Sequence, residues 1–190
     1  MEEVYVEDET FKEVNFLEKP LTANEYENCI FYNCNFSNTN LSNIVFADCE
    51  FRDCNMSLAK LSNTTLRNIK FIGCKLLGLH FEDCKAFLFE VYFENSTLNL
   101  SSFYKLKLKN TQFINAIIRE VDFTEADLTN SKFENCDLSQ AVFQQTMLEK
   151  VDFRSSYNYS IDPEINRIKK SKFSTDGLQG LLTKYDIEIE

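Results

Sequence analysis

The hydrophobic residues of this chain recur every five positions. A large apolar side chain occupies every fifth position from Phe11 to Phe81, and the pattern resumes from Leu88 to Phe153 after a shift of two residues. A period of five matches neither the 3.6-residue repeat of an α-helix nor the two-residue repeat of a β-strand. It predicts a chain that turns a corner every five residues and directs one large side chain inward each time.

Each five-residue unit also has a consistent order of side chains. A smaller residue precedes the large one by two positions, and Asn or Asp often follows it by two. Asn and Asp tolerate turn dihedrals and bond to nearby backbone, so they suit corners. In the first half of the chain these corner residues are Asn28, Asn33, Asn38, Asn43, Asp48, Asp53, Asn63 and Asn68.

Selecting every fourth unit tests whether the coil has four sides. The selection yields an unbroken column of phenylalanines, provided that the segment from Phe81 to Leu88 counts as one side. The column consists of Phe11, Phe31, Phe51, Phe71, Phe93, Phe113, Phe133, Phe153 and Phe173. The shift near residues 83–88 is therefore predicted to be a two-residue bulge and not a domain boundary.

Two stretches in the second half follow the pattern A(D/N)LXX almost letter for letter: Ala126-Asp127-Leu128-Thr129-Asn130 and Cys136-Asp137-Leu138-Ser139-Gln140. In this the chain resembles the pentapeptide-repeat family over about residues 11–155. The resemblance implies an all-β fold, a right-handed quadrilateral β-helix whose coils each contain about 20 residues. We expect a single domain over residues 1–190, with a last coil, a short helix and a strand in residues 156–190.

The seven cysteines occupy the small inward position of their units. A metal site needs thiolates that converge on one point, whereas small buried apolar residues need only the inward position. We therefore expect free, buried thiols and no metal. Cys29 should lie beside Cys49 and Cys34 beside Cys54, one coil apart.

Nothing in the sequence indicates catalysis. His80 is the only histidine and falls on an outward position, without a positioned nucleophile. There is no Gly-rich phosphate loop and no metal-ligand motif. We predict a non-enzymatic protein without a cofactor.

The net charge is −10 at pH 7. An acidic balance disfavours nucleic acid and anionic membrane surfaces as partners. No apolar run approaches the roughly 20 residues of a membrane span, and the acidic N-terminus does not look like a secretory signal. We expect a cytoplasmic protein with neither kind of partner. Half of the charge lies in the first ten residues, so it argues for solubility more than for a DNA-like rod.

A few aromatic residues fall on outward positions. Phe87 and Phe89 flank Leu88 at the shift in phase, Tyr92 follows shortly after, and Tyr104 points outward by phase. A cluster of exposed aromatics at a bulge is a candidate partner-binding site. The alternative, that the bulge folds its aromatics down onto the core, stays open.

The C-terminal residues form an amphipathic end. Ser174 or Thr175 can cap a short helix, and residues 186–190 alternate like a strand. An end too small to bury its own apolar face suggests a cap shared with a second copy, in a symmetric dimer. The candidate dimerisation residues are Leu178, Leu181, Leu182, Tyr185, Ile187 and Ile189.

A narrower resemblance begins at Ile161-Asp162-Pro163-Glu164-Ile165-Asn166-Arg167-Ile168. This segment, with the helix and strand expected after it, resembles the C-terminus of Qnr-type proteins and McbG-type immunity proteins. The resemblance implies a homodimer joined at the C-termini that binds DNA gyrase or topoisomerase IV as a DNA-mimicking rod. It also implies protection of the enzyme from quinolones or a peptide poison. Because the coils lack long loops, the chain is closer to the loopless relatives. The alternative is a structural or scaffolding solenoid with an unrelated partner.

Overall fold

A computed structural model describes residues 5–185 and 187–188 of the chain. They form a parallel β-solenoid with almost no helix, so the predicted all-β coil is confirmed. The strands are β1 (Tyr5–Glu7), β2 (Thr10–Lys12), β3 (Glu25–Glu27), β4 (Ile30–Tyr32), β5 (Val45–Ala47), β6 (Glu50–Arg52), β7 (Thr65–Arg67), β8 (Ile69–Ile72), β9 (Val91–Glu94), β10 (Gln112–Ile114) and β11 (Lys132–Glu134).

The strands stack into two parallel sheets on adjoining sides of the coil. We number the sides by their inward residues in the second coil: side 1 has Phe31, side 2 Phe36, side 3 Leu41 and side 4 Phe46. Side 1 carries the seven-stranded sheet β2-β4-β6-β8-β9-β10-β11, and side 4 carries β1-β3-β5-β7. Isolated parallel bridges connect successive coils elsewhere.

The core is built from columns of like residues stacked along the rod. On side 1 the Phe31 and Phe51 rings are stacked with centroids 4.8 Å apart, and on side 3 the Phe81 and Phe103 rings are 4.6 Å apart. Rings on adjoining sides meet edge to face, as Phe31 and Phe36 do at 5.4 Å. Burial of each large side chain favours folding by about 1.5–3 kcal/mol, so the repeated position supplies the main driving force.

The corners use a left-handed backbone. The eight corner residues predicted from the first half of the chain all have φ between 51° and 65°, a conformation that Asn and Asp adopt more readily than other non-glycine residues. Three leucines share it: Leu58 (φ 59°), Leu88 (φ 63°) and Leu100 (φ 60°). All three are more than half exposed, so burial does not offset their unfavourable backbone.

The small inward residues do more than fill space. The Cys54 thiol lies 3.2 Å from the carbonyl oxygen of Phe31 in the preceding coil, to which it donates. The Ser156 hydroxyl donates in the same way to Phe133, at 2.9 Å. A buried carbonyl without a partner is costly, so the Cys, Ser and Thr residues that donate in this way tie their coil to the one before it.

The bulge departs from the prediction at one residue. Strands β8 and β9 pair with a 22-residue offset, Ile69 opposite Val91, where other neighbouring strands are offset by 20 residues. Leu88, predicted to point inward, is 52% exposed. Phe89 packs against the core instead, with its ring 6.2 Å from that of Phe81. The two additional residues lengthen the path along side 4, and the chain returns to the core one residue later than the phase predicts.

The C-terminal segment is also less regular than predicted. In place of a single helix there are two 3₁₀ helices, Leu178–Leu181 and Thr183–Tyr185. Residues 187–188 are not in a strand, and the remainder of the predicted strand, Ile189 included, lies outside the described residues.

Tyr159 closes the core beneath these helices. Its ring lies 5.7 Å from the rings of both Phe153 and Phe173. A Cβ atom at Gly180 would come within 2.3 Å of the Tyr159 carbonyl oxygen, so only glycine fits there.

The corner geometry predicts a stabilising substitution. Leu58→Asn should raise the free energy of unfolding by about 0.5–1 kcal/mol, because Asn adopts the left-handed backbone at lower cost and Leu58 is largely exposed. Urea denaturation followed by circular dichroism measures the change. Leu77→Asn is the matched control: Leu77 is exposed on the same side, next to Gly78, and is not among the residues with positive φ. A loss of stability in Leu58→Asn would show that packing of Leu58 over Gly78 outweighs the backbone cost.

Candidate partner-binding surface

The bulge presents one aromatic side chain to solvent. Phe87 is 81% exposed and Leu88 beside it is also exposed, whereas Phe89 is half-buried against the core. The predicted outward direction therefore holds for Phe87 and is wrong for Phe89. The alternative prediction, that the aromatic side chains of the bulge pack onto the core, is correct for Phe89 and not for Phe87.

The two tyrosines lie on opposite sides of the rod. Tyr92 is on side 1, where its hydroxyl donates to Glu94 Oε2 at 2.9 Å. Burial, together with Glu94, raises the pKa of Tyr92 to about 12. Tyr104 is on side 3 and donates to Glu125 Oε1 at 3.2 Å. The structure therefore does not bring Tyr104 together with the other three predicted residues.

A groove of about 490 Å³ runs beside the bulge and joins sides 4 and 1. Phe89 and Tyr92 line it together with Lys70, Lys107 and Lys109. Lys109 is ion-paired with Asp127 at 3.1 Å. This groove was not among the sites predicted from the sequence. The shift in phase was the available signal, because two inserted residues interrupt the side 4 sheet after β7.

The charges of side 1 are largely neutralised within single strands or units. Glu50 pairs with Arg52, and Lys132 pairs with Glu134. Asp152 accepts from the Arg154 guanidinium at 2.8 Å. These pairs join residues two apart in sequence, which project from the same side, so side 1 does not present a row of free carboxylates.

Asp137 is a buried carboxylate on side 2. Its oxygens accept hydrogen bonds from the Ser139 hydroxyl at 2.6 Å, the Asn158 amide at 2.9 Å and Arg119 Nε at 2.7 Å. Burial alone would raise the pKa of Asp137, but these hydrogen bonds outweigh it and hold the pKa at about 2. The ionised carboxylate ties three successive coils together, which makes it a structural group.

All seven cysteines are free and buried, as predicted. Burial is the first cause that raises the pKa of Cys84 to about 12 and that of Cys136 to about 11. Such thiols stay protonated at neutral pH and are poor nucleophiles and metal ligands. Within residues 5–185 and 187–188, no three His, Cys, Asp or Glu side chains are grouped as metal ligands.

The predicted dimerisation residues differ in exposure. Leu181 packs against the core and Leu182 is half-buried. Leu178, Tyr185 and Ile187 are about half exposed.

Polar contacts hold this C-terminal segment to the last coil. Lys184 Nζ lies 2.8 Å from Asp162 Oδ1 and 2.6 Å from Glu164 Oε2. The Tyr185 hydroxyl donates to Glu164 Oε1 at 2.9 Å. The segment is therefore docked against the rod, with part of its apolar surface outward.

Comparisons with known proteins identify the class to which this rod belongs. The sequence model of the protein family described as "Pentapeptide repeat region" matches residues 24–103 and 86–162 of this chain. The chain therefore belongs to the pentapeptide-repeat family. No curated protein matches it significantly. No helix in the described residues has the length and apolar character needed to cross a membrane.

Two solved structures match the chain over most of its length at low sequence identity. HetL, a pentapeptide-repeat protein involved in heterocyst differentiation regulation from the cyanobacterium Nostoc sp. strain PCC 7120, is 15% identical. Its match covers 90% of this chain and 85% of HetL, with a TM-score of 0.57. A trypsin-treated form of QnrB1, a plasmid-mediated fluoroquinolone resistance protein, is 20% identical. That match covers 98% of both chains, with a TM-score of 0.47.

The Asp137 network predicts a pH-dependent stability. Its pKa of about 2 lies below the usual value of about 3.9. The stabilisation is therefore fully present above about pH 4 and is lost as the pH falls through 2. Asp137→Asn should lower the free energy of unfolding at pH 7 by about 2 kcal/mol and flatten its dependence on pH below 4.

Urea denaturation between pH 2 and pH 7 measures both effects. Asp122→Asn is the matched control, because the Asp122 side chain accepts only the Thr124 amide bond among the described contacts. Equal losses in the two variants would contradict a special role for Asp137.

Proposed function

We propose that the protein is a non-enzymatic binding protein that engages DNA gyrase or topoisomerase IV along its rod. It would thereby protect the enzyme from quinolones or from a peptide poison. The proposal concerns the partner, since the fold is compatible with many functions.

The observation that carries the proposal is the way the C-terminal segment closes the rod. Ile161 is buried, and the Asn166 amide donates to the carbonyl oxygens of Phe143 and Asp162, each at 2.9 Å. Asn166 Oδ1 accepts from the Thr146 amide at 2.9 Å. The residues that resemble Qnr-type and McbG-type C-termini are thus the ones that form the last coil, which supports a shared architecture at this end.

The charges favour recognition by shape and apolar contact over close mimicry of DNA phosphates. Side 1 is neutralised by ion pairs between neighbouring residues. Phe87 is the most exposed large apolar residue of the described chain. Aromatic residues dominate the binding energy of many protein interfaces, so Phe87 is the residue on which we place the contact.

A structural or scaffolding solenoid with an unrelated partner is the alternative. HetL, which has the same fold, is described as acting in heterocyst differentiation regulation. HetL supports the scaffolding alternative, because it illustrates that one rod architecture can present different surfaces to different partners.

A supercoiling assay with purified gyrase, with and without a quinolone, tests the partner. The wild-type protein should preserve supercoiling in the presence of the drug. Phe87→Ala should need about tenfold more protein for the same protection, since loss of an exposed aromatic anchor costs about 1–2 kcal/mol at an interface. Tyr32→Ala is the control, because Tyr32 is an exposed aromatic of the second coil, remote from the bulge.

The outcomes separate the two functions. If the wild-type protein neither inhibits nor protects gyrase or topoisomerase IV at micromolar excess, the topoisomerase proposal is wrong and the scaffolding alternative stands. If protection is found but Phe87→Ala and Tyr32→Ala behave alike, the partner is right and the contact is elsewhere.

We also propose the symmetric dimer through the C-terminal segment. Leu178 and Ile187 are the exposed apolar residues that it would cover, so Leu178→Asp with Ile187→Asp should convert a dimer into a monomer in light scattering. These substitutions are sharper than deletion of the segment, which would uncover Tyr159. Leu17→Asp, in the first coil, is the control. A dimer that survives the double substitution would contradict the proposal.

A further inference from the structure

The two edges of the described solenoid carry opposite charges. The first-coil edge, residues 5–13, has four exposed acids and one base, Lys12. The acids are Glu7, Asp8, Glu9 and Glu13. The last-coil edge, residues 166–173, has four exposed bases and no acid. The bases are Arg167, Lys169, Lys170 and Lys172. None of these eight side chains belongs to an ion pair within the described part of the chain, in contrast to the paired charges along side 1.

Within residues 5–185 and 187–188, no further strand or ring stacks on the ends of the side 1 and side 4 columns. Phe11 is only partly buried and stacks on Phe31 at 4.9 Å, with no further ring of the described chain beyond it. At the other edge Phe173 is partly buried and stacks on Phe153 at 5.4 Å. On side 4, Val6 and Ile168 are partly buried in the same manner.

The two edges match in register. Strands β1 and β2 begin at Tyr5 and Thr10, and the last bridges on the same two sides are at Arg167 and Lys172. Tyr5 and Arg167 are as far apart in sequence as Thr10 and Lys172. A single offset between two copies therefore continues the strand pairing on both side 4 and side 1. Continuing the parallel pairing would place Val6 of a second copy over Ile168 and its Phe11 over Phe173.

The same register brings the charges together. The Glu7 and Asp8 side chains of the second copy would lie beside Lys169 and Lys170. Lys172 would lie beside Thr10 and next to Glu9. A parallel strand added to a free edge gains backbone hydrogen bonds, and the added coil would cover the phenylalanine column with another phenylalanine.

We propose that the first-coil edge of one copy docks on the last-coil edge of another, which continues the solenoid from chain to chain. The occupant of each edge is thus a second copy of this protein in the same orientation. Two first-coil edges would repel each other, and so would two last-coil edges, because like charges oppose association.

This contact differs from the symmetric C-terminal dimer in both geometry and outcome. The dimer is isologous and stops at two copies, whereas the head-to-tail contact joins different surfaces and does not close. The two contacts compete for the last-coil end of the rod. Head-to-tail association should therefore increase with protein concentration beyond two copies, and it should weaken with salt because screening acts on exposed charges.

Charge reversal at either edge tests the proposal by sedimentation velocity at low and high salt. Lys169→Glu with Lys170→Glu removes the net positive charge of the last-coil edge, and Glu7→Lys with Glu9→Lys removes the net negative charge of the first-coil edge. Each double variant alone should need at least about tenfold higher concentration to associate than the wild type. An equimolar mixture of the two should associate pairwise again, because the unaltered acidic first-coil edge of the Lys169→Glu, Lys170→Glu variant then meets the unaltered basic last-coil edge of the Glu7→Lys, Glu9→Lys variant.

The control has the same change of charge away from the edges. Lys60→Glu with Lys75→Glu alters two exposed lysines in the middle of the rod and should associate like the wild type. Thermal melting by circular dichroism verifies that each variant is folded. A wild-type protein that stays at one or two copies at all concentrations in low salt overturns the proposal. So does association that Lys169→Glu with Lys170→Glu leaves unchanged, or a mixture that fails to associate.

Discussion

The left-handed corner at every fifth residue is the constraint on which the rest of this structure depends. A positive φ at each corner turns the chain onto the next side, so every coil presents the same positions to its neighbours. Because the coils are in register, each large inward residue lies on another one at the strand spacing of about 4.8 Å. Stacked phenylalanines, parallel sheets and inter-coil hydrogen bonds all follow from this repeated turn. Asn and Asp predominate at the corners because they adopt it at least cost.

The same constraint limits what the protein can do. Four narrow sides enclose a core filled by side chains, so the chemistry available to a partner is on the outside of the rod. Inward thiols and hydroxyls such as those of Cys54 and Ser156 are engaged with carbonyl oxygens of the preceding coil. Asp137, the most deeply buried carboxylate of the described residues, is engaged with Arg119 and Asn158. The features that break the repeat are the bulge, the closing segment and the two edges, and these are the features on which our proposals rest.

The parts of the fold set by local periodicity could be predicted from the sequence. The phenylalanine column, the corner residues and the buried cysteines each require only the phase of the repeat. The sequence could not predict that Phe89, and not Leu88, packs against the core. The position where an inserted loop rejoins the core depends on its three-dimensional path. The groove beside Phe89 and the Asp137 network also escaped prediction. They join residues from different coils, whose side-chain contacts the period does not specify.

Charge is distributed unevenly along the rod, with acids at the first-coil edge and bases at the last-coil edge. Along side 1, acids and bases alternate within single units and neutralise each other, as Glu50 and Arg52 do. At the edges this compensation is missing, since the acids near Glu7 and the bases near Lys169 have no ion-pair partner in the described chain. A net charge of −10 therefore does not describe a uniformly acidic rod. Unpaired charge lies at the first-coil and last-coil edges, whereas side 1 is largely neutralised and the bulge exposes the apolar ring of Phe87.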